Sequence, residues 1–204
     1  MRYTGPVTRL SRRLGVVLFT NGESKLKAFN KKNYKPGQHG QKRFSQMSEF
    51  SRQLLEKQKA RFMYGISEKQ SRKYYEMASK TNEVTGVKYL GLIEQRLDNV
   101  MYRSGLAETR PQGRQMVSHG IICLNGKRVN TPSILVKVGD KFEVSAKKKT
   151  SKLFESTKKE KKVKAPKWMK VDLANLSGEI TALPGKDDIE NIIEHQLITE
   201  YYSK

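Results

Sequence analysis

Several basic side chains of this sequence are spaced so that they could bind an anionic partner together. Arg110, Arg114 and Ser118 follow one another at four-residue intervals, so they share one outward face of a predicted helix. Lys127 and Arg128 follow the dipeptide Asn-Gly, which is typical of a two-residue hairpin turn. Arginine offers paired planar donors and lysine a point charge, and both groups bind phosphate oxygens. The spacing therefore predicts a surface that binds a phosphate backbone.

The element before this surface is a long helix that is predicted to start at Thr85. Apolar residues recur at helical spacing along its buried face, namely Leu90, Ile93, Leu97, Val100 and Met101. Its polar face carries Arg96, Asn99 and Arg103, and Gly105 ends it. Arg103 therefore joins the predicted phosphate-binding surface.

A second helix is predicted to carry the arginines at 110 and 114. Thr109 and Gln112 have the spacing of a capping box, in which each side chain accepts a backbone N–H of the first turn. Gly120 ends the helix by adopting a left-handed conformation. His119 stands beside this end and is interpreted as a phosphate or ribose contact.

Short strands are predicted to follow the second helix. Apolar residues at 121–124, the Asn-Gly turn and a second run at 127–129 indicate a hairpin. A closing strand is predicted within residues 134–144, and one more within residues 178–183. The two helices would pack on this small antiparallel sheet.

These residues resemble the RNA-binding module named after bacterial small-subunit ribosomal protein four. The matching motifs lie at residues 96–100 (RLDNV), at the arginines 110 and 114, and at residues 118–120 (SHG), 125–129 (NGKRV) and 136–140 (VKVGD). That module is of the αL type, with two short helices on a small sheet, and it binds RNA. The resemblance therefore implies a nucleic-acid partner.

The resemblance extends over nearly the whole chain and is weakest between residues 147 and 178. Further motifs of the same ribosomal protein family lie at residues 33–41 (NYKPGQHGQ), 54–59 (LLEKQK), 64–65 (YG) and 194–203 (EHQLITEYYS). The sequence is identified as a member of this family. Membership implies a structural constituent of the small ribosomal subunit that binds 16S rRNA early, nucleates assembly of the subunit body and contributes to translational accuracy.

The resemblance also implies partners, a location and a domain arrangement. The expected partners are 16S rRNA, small-subunit protein five with neighbouring ribosomal proteins, and messenger RNA near its entry path. The expected location is the small ribosomal subunit in the cytoplasm. The expected α+β fold has an irregular basic arm at 1–45 and a discontinuous helical domain at 46–90 plus 185–204. The RNA-binding module would be inserted at 91–184, with its core at 94–150.

The charge of the chain supports a polyanionic partner independently of any family. There are 41 lysines and arginines against 20 aspartates and glutamates, which gives a formal net charge of +21. The excess is concentrated in the first 46 residues, where eleven basic residues face a single acidic one. The last twenty residues have a net charge of −3, so they are not expected to contact RNA.

The amino-terminal arm has two interpretations, a solubilising tail or a segment that folds against RNA. Its glycines allow a backbone to approach phosphates closely, and its tyrosine, glutamine and histidine side chains can stack or hydrogen-bond. The RNA interpretation is preferred. Its candidate contacts are Arg9, Arg12, Arg13, Tyr34, Pro36, Gly37, Gln38, His39, Gly40, Lys42 and Arg43.

Two further helices are predicted, one from Glu49 to about Phe62 with Ser48 as its cap, and one capped by Ser67. The buried side of the first is expected to carry Phe50, Leu54, Leu55 and Phe62, with Lys57 exposed. The charged residues on these helices could simply be solvated surface residues, or they could contact RNA. RNA contact is the preferred interpretation. The candidates are Arg52, Lys59, Arg61, Arg72 and Lys73.

The carboxyl-terminal third contains a basic segment and an amphipathic helix. Residues 147–164 are interpreted as one basic helix, with a solvated face and RNA contact as the two alternative explanations of its charge. Trp168, Met169, Val171 and Leu173 are the expected anchors that follow it. The terminal helix is expected to bury Ile189, Ile192, Ile193, Leu197 and Tyr201.

Enzymatic, metal-binding and membrane classes are not expected. The three histidines lie far apart, and neither a phosphate-binding loop nor a catalytic carboxylate pair occurs. Pseudouridine synthases and tyrosyl-tRNA synthetases also contain the module, but they need a separate catalytic domain that does not fit in 204 residues. No cofactor is expected, because Thr8 and Ser11 stand where many family members have the first cysteine pair of a metal site. Cys123 is interpreted as a buried thiol.

No apolar run reaches the roughly 18 residues that a membrane span needs. A second binding hypothesis remains open beside the ribosomal one: a free RNA chaperone or messenger-binding repressor that carries the same module.

Overall fold

The computed structural model describes residues 3–18, 23–32, 34–41, 46–154, 165–189 and 192–203. Helices and an antiparallel sheet occur together, so the predicted α+β class is confirmed. The chain divides into two compact units, Met1–Gly86 with Glu190–Lys204, and Val87–Ile189. No helix within these described ranges is long and apolar enough to cross a membrane.

The first unit is helical. Its elements are α1 (Val7–Leu14), α2 (Glu23–Lys31), α3 (Glu49–Met63), α4 (Glu68–Ala78) and α8 (His195–Tyr202). The prediction of an irregular arm is therefore wrong for residues 7–14 and 23–31. Helix α1 has a buried edge formed by Leu10 and Leu14, and Gly15 ends it with φ at 70°.

The predicted starts of α3 and α4 are confirmed. The Ser48 side chain accepts a hydrogen bond from the N–H of Ser51, and the Ser67 side chain accepts one from the N–H of Gln70. Each serine satisfies one of the backbone donors that a helix start leaves without an intrahelical partner. Local sequence was sufficient to place both caps.

The predicted buried face of α3 is wrong. Phe50 is 53% exposed, while Lys57 is only 6% exposed. The residues that α3 buries are Gln53, Glu56, Lys57, Ala60 and Met63. The reason is tertiary, because polar side chains of α4 and α8 supply partners for this face. Gln53 donates to Oε2 of Glu200 at 3.0 Å, for example.

Helix α8 packs through a different residue than expected. Ile198 is 1% exposed and is the deepest apolar side chain of this helix, whereas Leu197 is half-buried. Ile193 is buried just before the helix, but Ile192 is 47% exposed. The terminal segment is therefore amphipathic as predicted, with its buried stripe rotated by one position.

The second unit combines a sheet with three helices, the first of which begins two residues before the unit does. The helices are α5 (Thr85–Glu94), α6 (Leu97–Arg103) and α7 (Arg110–Ser118). The strands are β1 (Ile122–Leu124), β2 (Lys127–Arg128), β3 (Lys141–Val144), β4 (Met169–Asp172) and β5 (Ser177–Ile180). All pairs are antiparallel, in the spatial order β2-β1-β3-β5-β4. The predicted closing strand is thus confined to its last four residues.

The single long helix that was predicted to start at Thr85 is broken in two at Arg96. This residue has extended backbone angles and forms a bridge with Leu135. On either side of it, the N–H of Leu97 donates to the carbonyl of Ile134 and the N–H of Val136 donates to that of Gln95, both at 2.9 Å. These hydrogen bonds to a distant loop replace helical ones, so periodicity alone could not reveal the break.

The boundaries of α7 and the hairpin follow the predicted local signals. The Thr109 side chain accepts from the N–H of Gln112 at 3.3 Å. The Gln112 side chain reaches back by one residue more than expected and accepts from the N–H of Glu108 at 2.8 Å. Gly120 has φ at 63°, and the hairpin turn has φ at 50° for Asn125 and 76° for Gly126.

One apolar core joins the helices of the second unit to its sheet. Val100 and Met101 of α6 and Val117 of α7 are fully buried in one cluster that also contains Phe142 of β3. Trp168, an expected anchor, is 2% exposed in the same core. Cys123 is only partly buried.

The predicted basic helix at 147–164 is not found in the part of it that the structure describes. Instead, short 3₁₀ turns occur at Ala146–Lys148 and Lys152–Phe154. Residues 155–164 lie outside the described residues.

Candidate nucleic-acid interface

Arg103 ends α6, and its side chain turns back to α5. Its Nε and Nη2 atoms donate to Oε2 and Oε1 of Glu94 at 2.9 and 2.6 Å. The Glu94 side chain is fully buried, whereas 19% of the Arg103 side chain is exposed. A paired hydrogen bond of this kind fixes the plane of a guanidinium group. Arg103 is therefore held in one orientation at a partly exposed position.

Arg110 is held by two residues of α6. Its Nε donates to Oδ1 of Asn99 at 2.9 Å, and its guanidinium carbon lies 4.5 Å from the centre of the Tyr102 ring. Asn99 in turn donates from Nδ2 to Oε2 of Glu94 at 2.6 Å. Asn99 was expected on a polar face but is 3% exposed, because it links the arginine to the buried carboxylate.

Arg114 approaches a second buried carboxylate. Its Nη1 lies 3.4 Å from Oδ2 of Asp98. The same aspartate accepts from Nε and Nη2 of Arg96 at 3.0 and 2.6 Å. The assignment of Arg96 to a polar face is wrong, since its side chain is 1% exposed. Burial is possible because Asp98 compensates its charge.

The outward stripe predicted on α7 is therefore only partly correct. Arg110 and Arg114 are half-buried, and Ser118 is exposed. The Ser118 hydroxyl donates to the carbonyl of Arg114 at 2.8 Å. Both arginines lean on polar groups of α6, which sequence spacing within α7 does not show. Together with Arg103 they are three half-buried arginines of α6 and α7, which we call the arginine row (Arg103, Arg110 and Arg114).

The hairpin contributes a second basic group at the carboxyl end of α7. Arg128 donates from Nε to the carbonyl of Gly120 at 2.7 Å and from Nη2 to that of His119 at 3.1 Å. These carbonyls belong to a helix end, where cations are favoured. Lys127 and the His119 side chain are exposed. The Arg128 side chain thus contacts the backbone at His119 and Gly120.

In the first unit, Arg12 contacts Tyr34, which is another of the predicted arm contacts. Its Nε donates to the carbonyl of Tyr34 at 3.0 Å, and its guanidinium carbon lies 4.6 Å from the centre of the Tyr34 ring. Arg9 and Arg13 are exposed on α1. The contact with Tyr34 connects α1 to the glycine-containing loop that follows.

That loop presents polar side chains on a tight turn. The N–H of Gly40 donates to the carbonyl of Gly37 at 3.1 Å, and Gly37 has φ at 111°, which favours glycine. Gln38 and His39 are exposed at its tip, while Pro36 is half-buried. Lys42 and Arg43, which were also predicted to contact RNA, lie outside the described residues.

The predicted contacts on α3 and α4 differ in accessibility. The exposed ones are Arg52, Arg72 and Lys73. Arg61 is 27% exposed and donates to Glu68 at 3.1 Å. Lys59 was expected to be exposed, which is wrong: only 12% of its side chain is accessible, because its ammonium pairs with Glu56 and donates to the carbonyl of Ile192.

Sequence reasoning missed the residues that orient the arginine row. Glu94, Asp98 and Asn99 are polar residues inside an apolar helical pattern, and that placement was the available signal. Their partners in the arginine row lie between nine and sixteen residues away. Across the described residues, no group of histidine, cysteine or acidic side chains could hold a metal ion.

Comparisons with known proteins find matches over the whole chain. The family profile described as "Ribosomal protein S4/S9 N-terminal domain" matches residues 2–94, and the one described as "S4 domain" matches residues 95–142. A small ribosomal subunit protein uS4 of Acetivibrio thermocellus is 47% identical over 207 aligned residues, covering 100% of this chain and 99% of the relative. The chain belongs to the uS4 family of ribosomal proteins.

Other relatives agree with this membership. The uS4 proteins of Caldicellulosiruptor saccharolyticus and Chloroflexus aurantiacus are 47% and 44% identical, each with 100% of this chain and 99% of the relative covered. The resemblance drawn from the motifs is therefore confirmed. The uS4 family is a structural, non-enzymatic component of the ribosome, which also confirms the expectation that the chain is not an enzyme.

Proposed function

We propose that this chain binds 16S rRNA directly, as a structural constituent of the small ribosomal subunit, through a basic surface on each compact unit. The observation that carries the proposal is the arginine row, whose guanidinium groups are oriented on α6 and α7 in the same unit as the exposed Lys127. Oriented arginines suit phosphate oxygens, because the guanidinium fork donates two hydrogen bonds at once. On this unit the proposed contacts are Arg103, Arg110, Arg114, His119, Lys127 and Arg128.

The first unit would supply a separate set of contacts. Its exposed tip at Gln38 and His39 can hydrogen-bond or stack, and the turn at Gly37 brings the backbone close to the surface. Exposed arginines of α1 and α3 add charge. The proposed contacts are Arg9, Arg12, Arg13, Tyr34, Pro36, Gly37, Gln38, His39, Gly40, Arg52, Arg61, Arg72 and Lys73. Lys42 and Arg43 are retained on charge alone, and Lys59 with its internal partners is the weakest member of the set.

Recognition would rest on the shape of the RNA. The major groove of an RNA helix is deep and narrow, so side chains read it poorly, and phosphates and ribose hydroxyls are the accessible groups. Both sets of contacts consist mainly of cationic and hydrogen-bonding side chains. We therefore infer that the chain holds RNA helices where they meet, and does not read a base sequence.

Finer roles follow from family membership and are proposals for this chain. Early binding to 16S rRNA would nucleate assembly of the subunit body. Small-subunit protein five and neighbouring ribosomal proteins would be protein partners, and messenger RNA would pass close by near its entry path. Through these contacts the chain would contribute to translational accuracy. The module boundaries 91–184 within a helical domain 46–90 plus 185–204 are likewise proposed, and the division into two compact units supports them.

The direct test is binding of the purified full chain to protein-free 16S rRNA. We expect one chain per RNA, with an affinity that exceeds the affinity for an unrelated structured RNA of equal length at the same salt concentration. Equal affinity for both RNAs would contradict the proposal, because it would leave only the unspecific attraction between opposite charges.

A second measurement separates the ribosomal role from the free chaperone or repressor role. An integral component stays with small subunits when they sediment through high salt, whereas a loosely attached RNA-binding protein is released. Complete release at a salt concentration that leaves the subunit intact would favour the alternative.

A further inference from the structure

The arginine row is connected to buried acceptors that the RNA-binding role does not by itself require. Glu94 is fully buried, yet it accepts from Arg103 twice and from Asn99 once. Asn99 also accepts a hydrogen bond from Arg110. The Glu94 carboxylate is therefore hydrogen-bonded directly to Arg103 and, through Asn99, to Arg110.

Stability alone is a poor reason for this arrangement. Taking a carboxylate out of water is costly, and replacing a buried ion pair by apolar residues is often neutral or stabilising. Coulomb attraction to RNA gives no reason either, since a negative charge behind the surface weakens its attraction for a polyanion. What the carboxylate does provide is a fixed direction for two guanidinium groups.

We propose that Glu94 and Asn99 are positioning residues, which hold Arg103 and Arg110 in the orientation that rRNA phosphates require before the RNA arrives. The inference rests on the proposed RNA-binding function. An arginine that becomes immobilised only when RNA binds loses side-chain rotamer entropy on binding. This loss lowers the affinity for RNA. In this chain the ordering takes place when the protein folds, because Glu94 fixes one guanidinium and Asn99 with Tyr102 fixes the other.

The sign of one substitution distinguishes positioning from charge. Glu94→Gln removes a negative charge, so charge alone would tighten RNA binding. Positioning predicts the opposite, a loss of about 25-fold in affinity, since roughly fivefold is lost for each of the two arginines that must then be ordered on binding. The matched control is Glu108→Gln, which makes the same charge change at an exposed residue close to the start of α7. It should leave affinity unchanged or slightly higher.

The experiment measures the affinity of the full-length variants for 16S rRNA as a function of salt concentration. For Glu94→Gln we expect a parallel downward shift, with the slope of log K against log salt retained, because every arginine keeps its charge. Affinity equal to or above that of the unsubstituted chain would overturn the proposal. A shallower slope in the folded variant would also overturn it, since phosphate contacts would then have been lost, whereas positioning keeps every contact at a lower affinity.

A second variant keeps the test valid if Glu94→Gln fails to fold. Arg110→Lys keeps the charge at a half-buried position but removes the fork that Asn99 and Tyr102 hold. We expect about a fivefold loss of affinity, and unchanged affinity would overturn the proposal. Failure of the unsubstituted chain to prefer 16S rRNA would instead overturn the proposed function, so the two failures are distinguishable.

Discussion

Lys57 of α3 and Glu68 of α4 form an ion pair with a distance of 3.0 Å between Nζ and Oε1, although only 7% of the lysine side chain is exposed. The lysine Nζ also lies 4.4 Å from the centre of the Tyr201 ring of α8. Glu68 accepts a further hydrogen bond from the Tyr202 hydroxyl at 3.0 Å. The pair thus connects three helices of the first unit around one buried ammonium.

The pH dependence of stability should report this pair. Burial raises the pKa of Glu68, but the hydrogen bonds from Lys57, Tyr202 and Arg61 together with the Lys57 charge outweigh burial, so the pKa falls below its usual 4.5. A lowered pKa stabilises the folded state fully above pH 4.5, and the stabilisation is lost as the pH falls through the folded-state pKa. The difference in melting temperature between the unsubstituted chain and Glu68→Gln should therefore shrink on acidification below pH 4.5.

The same comparison in a Lys57→Met background provides the control, because the substitution removes the principal partner of Glu68. The acid-dependent part of the difference should then be smaller. An identical pH dependence in both backgrounds would show that Lys57 does not determine it.

Packing of the terminal helix depends on Ile198. Because Ile198 is 1% exposed, Ile198→Ala should lower the free energy of unfolding by about 2 to 5 kcal/mol through lost burial and a residual cavity. Ile192→Ala is the matched control, since this residue is 47% exposed and its substitution should change stability by less than about 0.5 kcal/mol. Denaturant titration measures both, and equal effects would contradict the packing described for α8.

Gly120 is constrained by its positive φ and by the nearby Arg128 side chain, whereas Gly126 is constrained by its positive φ alone. Both have positive φ, so an alanine at either position costs roughly 1 to 2 kcal/mol of backbone strain. A Cβ at Gly120 would also overlap the Arg128 guanidinium, whereas one at Gly126 meets no atom within 4 Å. Gly120→Ala should therefore be the more destabilising of the two by thermal melting, and the reverse order would contradict the contact between Arg128 and the end of α7.

Lys127 of the hairpin should contribute to RNA binding through its charge. If Lys127 neutralises one phosphate, Lys127→Gln should reduce the slope of log K against log salt by about 0.7 to 0.9. Lys186→Gln makes the same change at an exposed residue beside Asp187 and Asp188, in the region where acidic residues prevail, and should leave the slope unaltered. Equal slopes for the unsubstituted chain and Lys127→Gln would remove Lys127 from the interface.

Local signals in the sequence predicted what local chemistry determines. The caps at Ser48, Ser67 and Thr109 and the turn at Asn125 need only neighbouring residues, and all four are found in the structure. Motifs spread along the chain were sufficient for the family. These features are encoded within a few positions of one another.

Distant partners explain what sequence reasoning missed. Lys57 is buried because the hydroxyl of Tyr201, 144 residues away, accepts a hydrogen bond from its Nζ, which also lies over the Tyr201 ring. The helix breaks at Arg96 because a loop residue, Leu135, bridges to it. Asn99 is buried because Glu94 and Arg110 satisfy its amide. Helical periodicity does not reveal contacts between distant residues. A prediction from periodicity therefore places all three residues on the surface or in a continuous helix.

The most direct test of the central claim is a map of protein–RNA crosslinks, by residue, for the full chain bound to 16S rRNA. We expect crosslinks at the arginine row, at the hairpin around Lys127, and at the tip formed by Gln38 and His39. Residues 185–204, with their net charge of −3, should remain free of them. Crosslinks confined to residues 185–204, with none between Arg103 and Arg128, would contradict the account.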